Sequence, residues 1–221
     1  MMPGLSPNTI TLIASGGSIV QNSMVLNSFL LATVLQVGGS GNPPTFVSDG
    51  TNSWFFVGNS VIRVGGNNLY FFAVARNQLS VPTTFLTDAT GTVRFWVSQY
   101  TGQTLTGNPV VRFMAADIVT TTGRSLGPLE KNWSNLTSIF SGWFNPTPSP
   151  ILTFDGGAGL VQMNCGPTTN GVQVMNATLG GVGNYTATWT QTTFASGNAG
   201  LLLVKSPTSK PLGGGLLLGV G

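Results

Sequence analysis

Histidine is absent from the chain, and charge nearly so. Of its 221 residues only 6% are Asp, Glu, Lys or Arg, against about a quarter in an ordinary soluble domain. Without an imidazole, the Ser-His-Asp and Cys-His arrangements and every His-containing zinc site are excluded. One cysteine, Cys165, rules out an intrachain disulfide. With nothing to activate it, that residue reads as an inert, partly buried thiol. A chain of this size without disulfides suits cytoplasmic folding. The acids number five: Asp49, Asp88, Asp117, Glu130 and Asp155. Asp49, Asp88 and Asp155 stand singly in turns. A calcium loop needs a dense register of oxygen ligands, and a glycosidase needs two carboxyls facing each other. The eight cations give a net charge of +3, but Arg63, Arg76, Arg94 and Arg112 are scattered singly in or beside apolar runs. Nucleic-acid binding requires a basic patch, and none is present. Neither a P-loop nor a dinucleotide fingerprint occurs. The expectation is a protein that is not an enzyme and needs no cofactor and no metal.

Two further shortages bear on location and assembly. Met1-Met2-Pro3-Gly4 lacks the basic and apolar regions of a signal peptide, so the chain is expected to fold where it is made. Its longest apolar stretch, Phe29 to Val37, is too short to span a bilayer, so no membrane partner is expected. A surface with so few charges must be covered by Ser, Thr, Asn, Gln and Gly, and it is poorly protected against association. The composition therefore points to a homo-oligomer.

What the sequence has is strands. From Thr45 to Tyr100, short β-branched and aromatic runs alternate with turn clusters at Asp49-Gly50-Thr51-Asn52, Gly65-Gly66-Asn67-Asn68 and Asp88-Ala89-Thr90-Gly91. This is the pattern of consecutive antiparallel strands. Strands are expected at Thr9–Ile13, Ser28–Val37, Trp54–Val57, Leu69–Arg76, Thr83–Leu86, Val93–Tyr100 and Val110–Val119. Later ones are expected at Leu136–Phe144, Ile151–Phe154, Leu160–Cys165, Val172–Asn176, Tyr185–Gln191 and Leu201–Lys205. Ser28–Val37 is apolar nearly throughout, as a central strand would be. Pro82 should mark a strand start or edge. Thr120–Lys131, with Gly123, Gly127 and Pro128, reads as the connector between halves, and Glu130 as a solvated loop residue.

The second half loosely echoes the first at an offset of about a hundred residues. Leu69–Val74 corresponds to Gly171–Asn176, Val93–Ser98 to Gly200–Lys205, Phe29–Val37 to Leu136–Phe144, and Asp49-Gly50 to Asp155-Gly156. The fold expected is all-β: a single antiparallel β-sandwich, jelly-roll-like, with an internal pseudo-repeat. It would comprise a lead at 1–8, a sandwich at 9–205 (halves 9–122 and 123–205) and an arm at 206–221. Its core should include Phe71, Trp96, Trp189 and Leu202. Aromatic residues such as Trp54 and Trp133 are candidates for stacking on sugars, with a core role favoured for those in strands. In the arm, a Pro-punctuated linker precedes Leu212, Leu216, Leu217, Leu218 and Val220. These five aliphatic residues follow the last strand and read as a partner-binding docking segment.

Several segments together resemble a diffuse family of phage and prophage virion proteins with a jelly-roll or concanavalin-like sandwich. Phe29–Val37 is similar to that family's early apolar strand. Pro43-Pro44-Thr45-Phe46-Val47-Ser48-Asp49-Gly50-Thr51-Asn52-Ser53-Trp54 is similar to its P-x-V-x-D-x-x-G-N-x-W segment. Leu69–Arg76 resembles its aromatic strand, Val93–Tyr100 its closing strand, and Asn184–Trp189 with Leu201–Lys205 its C-terminal pair. The resemblance implies a non-enzymatic virion protein of the capsid decoration (cement) type, sitting on the capsid surface after synthesis in the host cytoplasm. It further implies the major capsid protein as partner and a trimer as the oligomer. The alternative is a carbohydrate-binding host-adhesion module of a phage fibre, with a glycan as ligand.

Overall fold

The structure is a computed structural model and describes residues 8–15, 18–21, 24–37, 41–59, 68–81, 83–100, 110–118, 123–131, 138–147, 152–154, 161–165, 172–179, 183–191 and 196–205. Their regular elements are strands, and no helix occurs among them. The first eight are β1 (Asn8–Ser15), β2 (Ser18–Gln21), β3 (Phe29–Val37), β4 (Val47–Ser48), β5 (Phe55–Asn59), β6 (Asn68–Val74), β7 (Thr83–Thr87) and β8 (Thr92–Tyr100). The second eight are β9 (Val110–Ile118), β10 (Gly123–Lys131), β11 (Ser138–Thr147), β12 (Leu152–Phe154), β13 (Val161–Cys165), β14 (Val172–Leu179), β15 (Gly183–Gln191) and β16 (Ser196–Lys205). Pro82, Trp133, Asp155 and the arm residues Leu212, Leu216, Leu217, Leu218 and Val220 lie outside the described residues, as do the side chains of Trp96, Trp189 and Cys165.

The strands form two five-stranded sheets, ordered β1-β8-β3-β6-β5 and β13-β14-β11-β16-β9, and two three-stranded sheets, ordered β2-β7-β4 and β10-β15-β12. Each of these pairings is antiparallel. The all-β expectation holds at this level.

The connector expected at Thr120–Lys131 is a correction: Gly123–Lys131 is strand β10. Its glycines and proline are tolerated because β10 lies at a sheet edge with β15 as its one neighbour. The ladder slips between Leu126 and Leu129, around Gly127-Pro128, where proline has no N–H to offer. Glu130 is exposed, but within this strand rather than in a loop. Similarly, β11 runs past the expected Phe144 through Pro146 to Thr147. Beyond Phe144 it pairs with β16 alone, so Pro146 interrupts no ladder with β14.

The central strands β3 and β6 are buried along nearly their whole length. Successive side chains on a strand point to opposite faces, and here both faces are covered. Phe29, Leu31, Leu35, Leu69, Phe71 and Ala73 enter one apolar cluster together with Leu202 of β16. Leu30, Ala32, Val34, Tyr70, Phe72 and Val74 enter a second cluster with Val47 of β4 and Phe85 of β7. Two-sided burial explains why Phe29–Val37 reads as an unbroken apolar run rather than an alternating one. Phe71 and Leu202, both expected in a common core, are in the same cluster.

The first cluster joins the two five-stranded sheets through one aromatic pair. The Phe71 ring lies 5.4 Å from that of Phe113 on β9, tilted by 58°. Glycines seat both rings. At Gly200 on β16, an added Cβ would lie 2.6 Å from Phe71 Cζ. At Gly58 on β5, an added Cβ would overlap the Phe113 ring itself. Thr33 shares the cluster-facing side of β3, and its buried hydroxyl has no hydrogen-bond partner among the described residues.

These contacts set a graded stability series. Gly58→Ala and Gly200→Ala should each destabilise by about 1–3 kcal/mol, the usual range for overpacking a core. Thr33→Val keeps the shape and removes an unpartnered hydroxyl, so it should leave stability unchanged or raise it. Urea melts of the three variants check the order. Wild-type stability in both glycine variants would show that the rings do not occupy these seats.

Candidate functional site

At one end of the first sheet, three loops are tied together by short polar side chains. The loop Met24–Ser28 precedes β3, residues 49–54 separate β4 from β5, and residues 75–81 follow β6. Asn77 is buried at their junction. Its Nδ2 donates to Val25 O at 2.9 Å and to Leu79 O at 2.7 Å. Its Oδ1 accepts from Leu79 N at 2.9 Å and from Asn52 Nδ2 at 3.0 Å. Its backbone N–H donates to Ser28 O at 2.8 Å, and its carbonyl accepts from Asn27 N at 2.9 Å. One side chain thus satisfies loop carbonyls and amides that the sheets leave unpaired.

Asp49 secures the middle loop. Its Oδ1 accepts from Thr51 N and Asn52 N at 2.9 and 2.7 Å, an Asx-type turn. Its Oδ2 accepts from Asn52 Nδ2 at 2.7 Å and Trp54 Nε1 at 3.0 Å. Gly50 supplies the left-handed conformation that the turn needs, with φ at 79°. Asn52 Oδ1 accepts from Gln78 N at 2.9 Å and couples this loop to the third. Gln99 of β8 accepts from Val25 N at 2.8 Å, and Ser28 Oγ donates to Val25 O at 2.6 Å. Asn27, at φ 58°, accepts from Arg76 Nε at 2.7 Å.

This scaffold presents three aliphatic side chains outward, beside the exposed Asn27, Arg76, Gln78 and Ser80. Met24 is buried and Leu79 packs on the second cluster, but Val25, Leu26 and Val81 are 48%, 50% and 58% exposed. Hydrogen bonds hold the backbone at Val25 and Asn27, on either side of Leu26, and at Leu79, two residues before Val81. Among the described residues the other exposed large apolar ones are Phe46 just before β4, Leu86 on β7 and Phe56 on β5. Phe56 leans on Phe72 at 5.4 Å.

The opposite end of the sheet is closed by a second polar set. Gln36 Nε2 donates to Asn42 O at 2.8 Å and to Thr90 O at 3.0 Å. Gly41 passes so close to the Thr90 backbone that any Cβ would collide with it. Asp88 accepts from Thr45 N at 2.7 Å, from Phe46 N at 3.2 Å and from the Thr45 hydroxyl. Burial tends to raise the Asp88 pKa. The hydrogen bonds from the Thr45 hydroxyl and the Thr45 and Phe46 amides outweigh it and hold the carboxyl below its ordinary value.

Asp49 and Asp88 thus serve turns, as the sequence suggests, and sit at opposite ends of the sheet. Trp54, a candidate for sugar stacking, is half-buried, donates to Asp49 and meets Phe85 edge-on at 5.9 Å. Among the described residues no group of three His, Cys, Asp or Glu side chains is placed to hold a metal ion. No helix there is long and apolar enough to cross a membrane. Sequence reasoning passed over Asn77 and the Val25, Leu26 and Val81 tips. The one signal was the pairing of aliphatic residues with Asn and Ser outside any strand pattern. Comparison with protein-family models, with curated proteins and with solved structures finds no match.

The lowered Asp88 pKa makes a signed prediction. Its stabilisation is complete above the unfolded aspartate value of about 3.9 and is lost as pH falls through the lower folded value. Asp88→Asn should therefore melt below wild type at pH 7, with the gap closing as pH falls below about 4. Thermal melts across that range check it, and a gap that stays constant would contradict the assignment.

Proposed function

We propose that the chain is a non-enzymatic structural protein of a phage virion, a capsid decoration protein that binds the major capsid protein through protein–protein contacts. Strand order is the observation that carries this reading. Adding eight to each number in β1-β8-β3-β6-β5 gives β9-β16-β11-β14-β13, the second five-stranded order read from its other edge. The same step turns β2-β7-β4 into β10-β15-β12. It also turns β3 into β11, β6 into β14 and β8 into β16, the segments that echo each other in sequence. Within the first eight strands, 1-8-3-6 in one sheet and 2-7-4 in the other is jelly-roll order. Jelly rolls of eight strands recur in viral capsid and lectin domains.

On this reading the molecule is one β-sandwich assembly of two jelly-roll repeats, strands 1–8 and 9–16, joined at the Phe71–Phe113 cluster, and β9 (Val110–Ile118), expected in the first half at 9–122, belongs to the second repeat. Fold alone does not decide between capsid and lectin roles. The exposed loop tips favour the capsid: Val25, Leu26 and Val81 are aliphatic, whereas sugar rings are gripped by flat aromatic faces. The charge-poor composition, at 6%, suits a protein whose surface is covered in an assembly, here a trimer on the outer capsid face.

The test is co-sedimentation of the purified protein with heads of its virion assembled without it, alongside a glycan array. Saturable binding to heads and a blank array are expected. Glycan binding without head binding would establish the fibre-adhesin alternative instead.

A further inference from the structure

The end of the molecule built on Asp49 and Asn77 has a property that strand order does not require. If the two halves are repeats, as read above, the turn at 49–54 has its counterpart at 155–160. There the sequence is Asp-Gly-Gly-Ala-Gly-Leu, with nothing in place of Asn52 or Trp54. The side chains that make the Asp49–Asn52–Trp54 hydrogen bonds are thus particular to the first half, and through Asn52 they tie the middle loop to Asn77 and Gln78, on the loop that carries Val81.

We infer that Val25, Leu26 and Val81, with Arg76 beside them, form the surface by which this protein docks on its partner, and that the partner offers an apolar protein face bearing a carboxylate. The inference rests on the virion reading, in which that face belongs to the capsid shell. Three observations support it. First, the tips stand on loops fixed by Asn77, Asn52, Asp49 and Gln99, so little conformational freedom is lost when they are buried. Preorganisation of this kind strengthens binding. Second, Val25, Leu26 and Val81 are about half exposed and stand on two loops that Asn77 joins through Val25 O and Leu79 O. Third, the charge there has one sign. Arg76 is exposed and donates through Nε to Asn27, while both oxygens of Asp49 are occupied by donors from its own loop. The guanidinium therefore faces outward, and a carboxylate on the partner complements it.

The test uses the full chain and the heads assembled without it. Leu26→Asp and Val81→Asp place a charge in the contact, and each should weaken head binding at least tenfold while melting like wild type. Arg76→Glu should weaken it several-fold and abolish its dependence on salt. Leu86→Asp, on the outer face of the β2-β7-β4 sheet, is the control and should bind normally. Wild-type affinity in both the Leu26 and Val81 variants, or loss in Leu86→Asp alone, would overturn the docking surface and leave the virion reading standing. Wild-type protein that fails to bind heads overturns both. So does wild-type protein that binds phosphatidylglycerol vesicles instead of heads, since the tips would then be seated in lipid.

Discussion

Everything in the arrangement turns on how the Phe71 and Phe113 rings are seated. Two sheets bearing large side chains on their facing sides cannot approach unless some positions carry no side chain. Gly58 and Gly200 provide that space, each opposite one of the rings. The contact leaves β3 and β6 covered on both faces, and this in turn dictates their composition. A strand covered on one face alternates; one covered on both has no place for charge. The low charge of the whole chain is partly a consequence of this layering, since the inner strands contribute none to the surface.

Polar chemistry is pushed to the two ends of the first sheet, where the chain leaves the ladders and its amides and carbonyls need partners. Asn77 and Asp49 meet that need at one end, Gln36 and Asp88 at the other. Asn77, Asp49 and Gln36 are buried and Asp88 is half-buried, and the hydrogen bonds they make are within the fold. Among the described residues, what is left at the surface is mostly neutral polar side chains with a few exposed aliphatic and aromatic ones. At the locked end the exposed side chains include Val25, Leu26, Val81 and Arg76, beside the polar Asn27, Gln78 and Ser80.

The strands were legible in the sequence where burial imposes a pattern. Ser28–Val37, Leu69–Arg76 and Val93–Tyr100 are long, mostly apolar and bounded by turn residues, and β3, β6 and β8 fall there, with β6 ending at Val74 so that Arg76 lies in the loop that follows. Short or edge strands were not. β4 has two residues and is held by its neighbour β7, and β10 contains Gly127 and Pro128, which read as breakers unless the edge position is known. At the loop end, Asp49-Gly50 announced a turn, because the Asx geometry is local. Asn77 did not, because its partners at Val25 and Asn52 are distant in sequence and only the fold brings them together. The exposed tips were hidden for the opposite reason: an aliphatic residue in sequence is presumed to be core.

The central claim is that the two five-stranded sheets share a core through Phe71 and Phe113. A double-mutant cycle tests it directly, with Phe71→Leu, Phe113→Leu and the pair measured by urea denaturation. An aromatic pair at this separation predicts a coupling energy of about 0.5–1.5 kcal/mol, with a single unfolding transition in all four proteins. Additive effects, to within about 0.3 kcal/mol, together with two separate transitions, would contradict it.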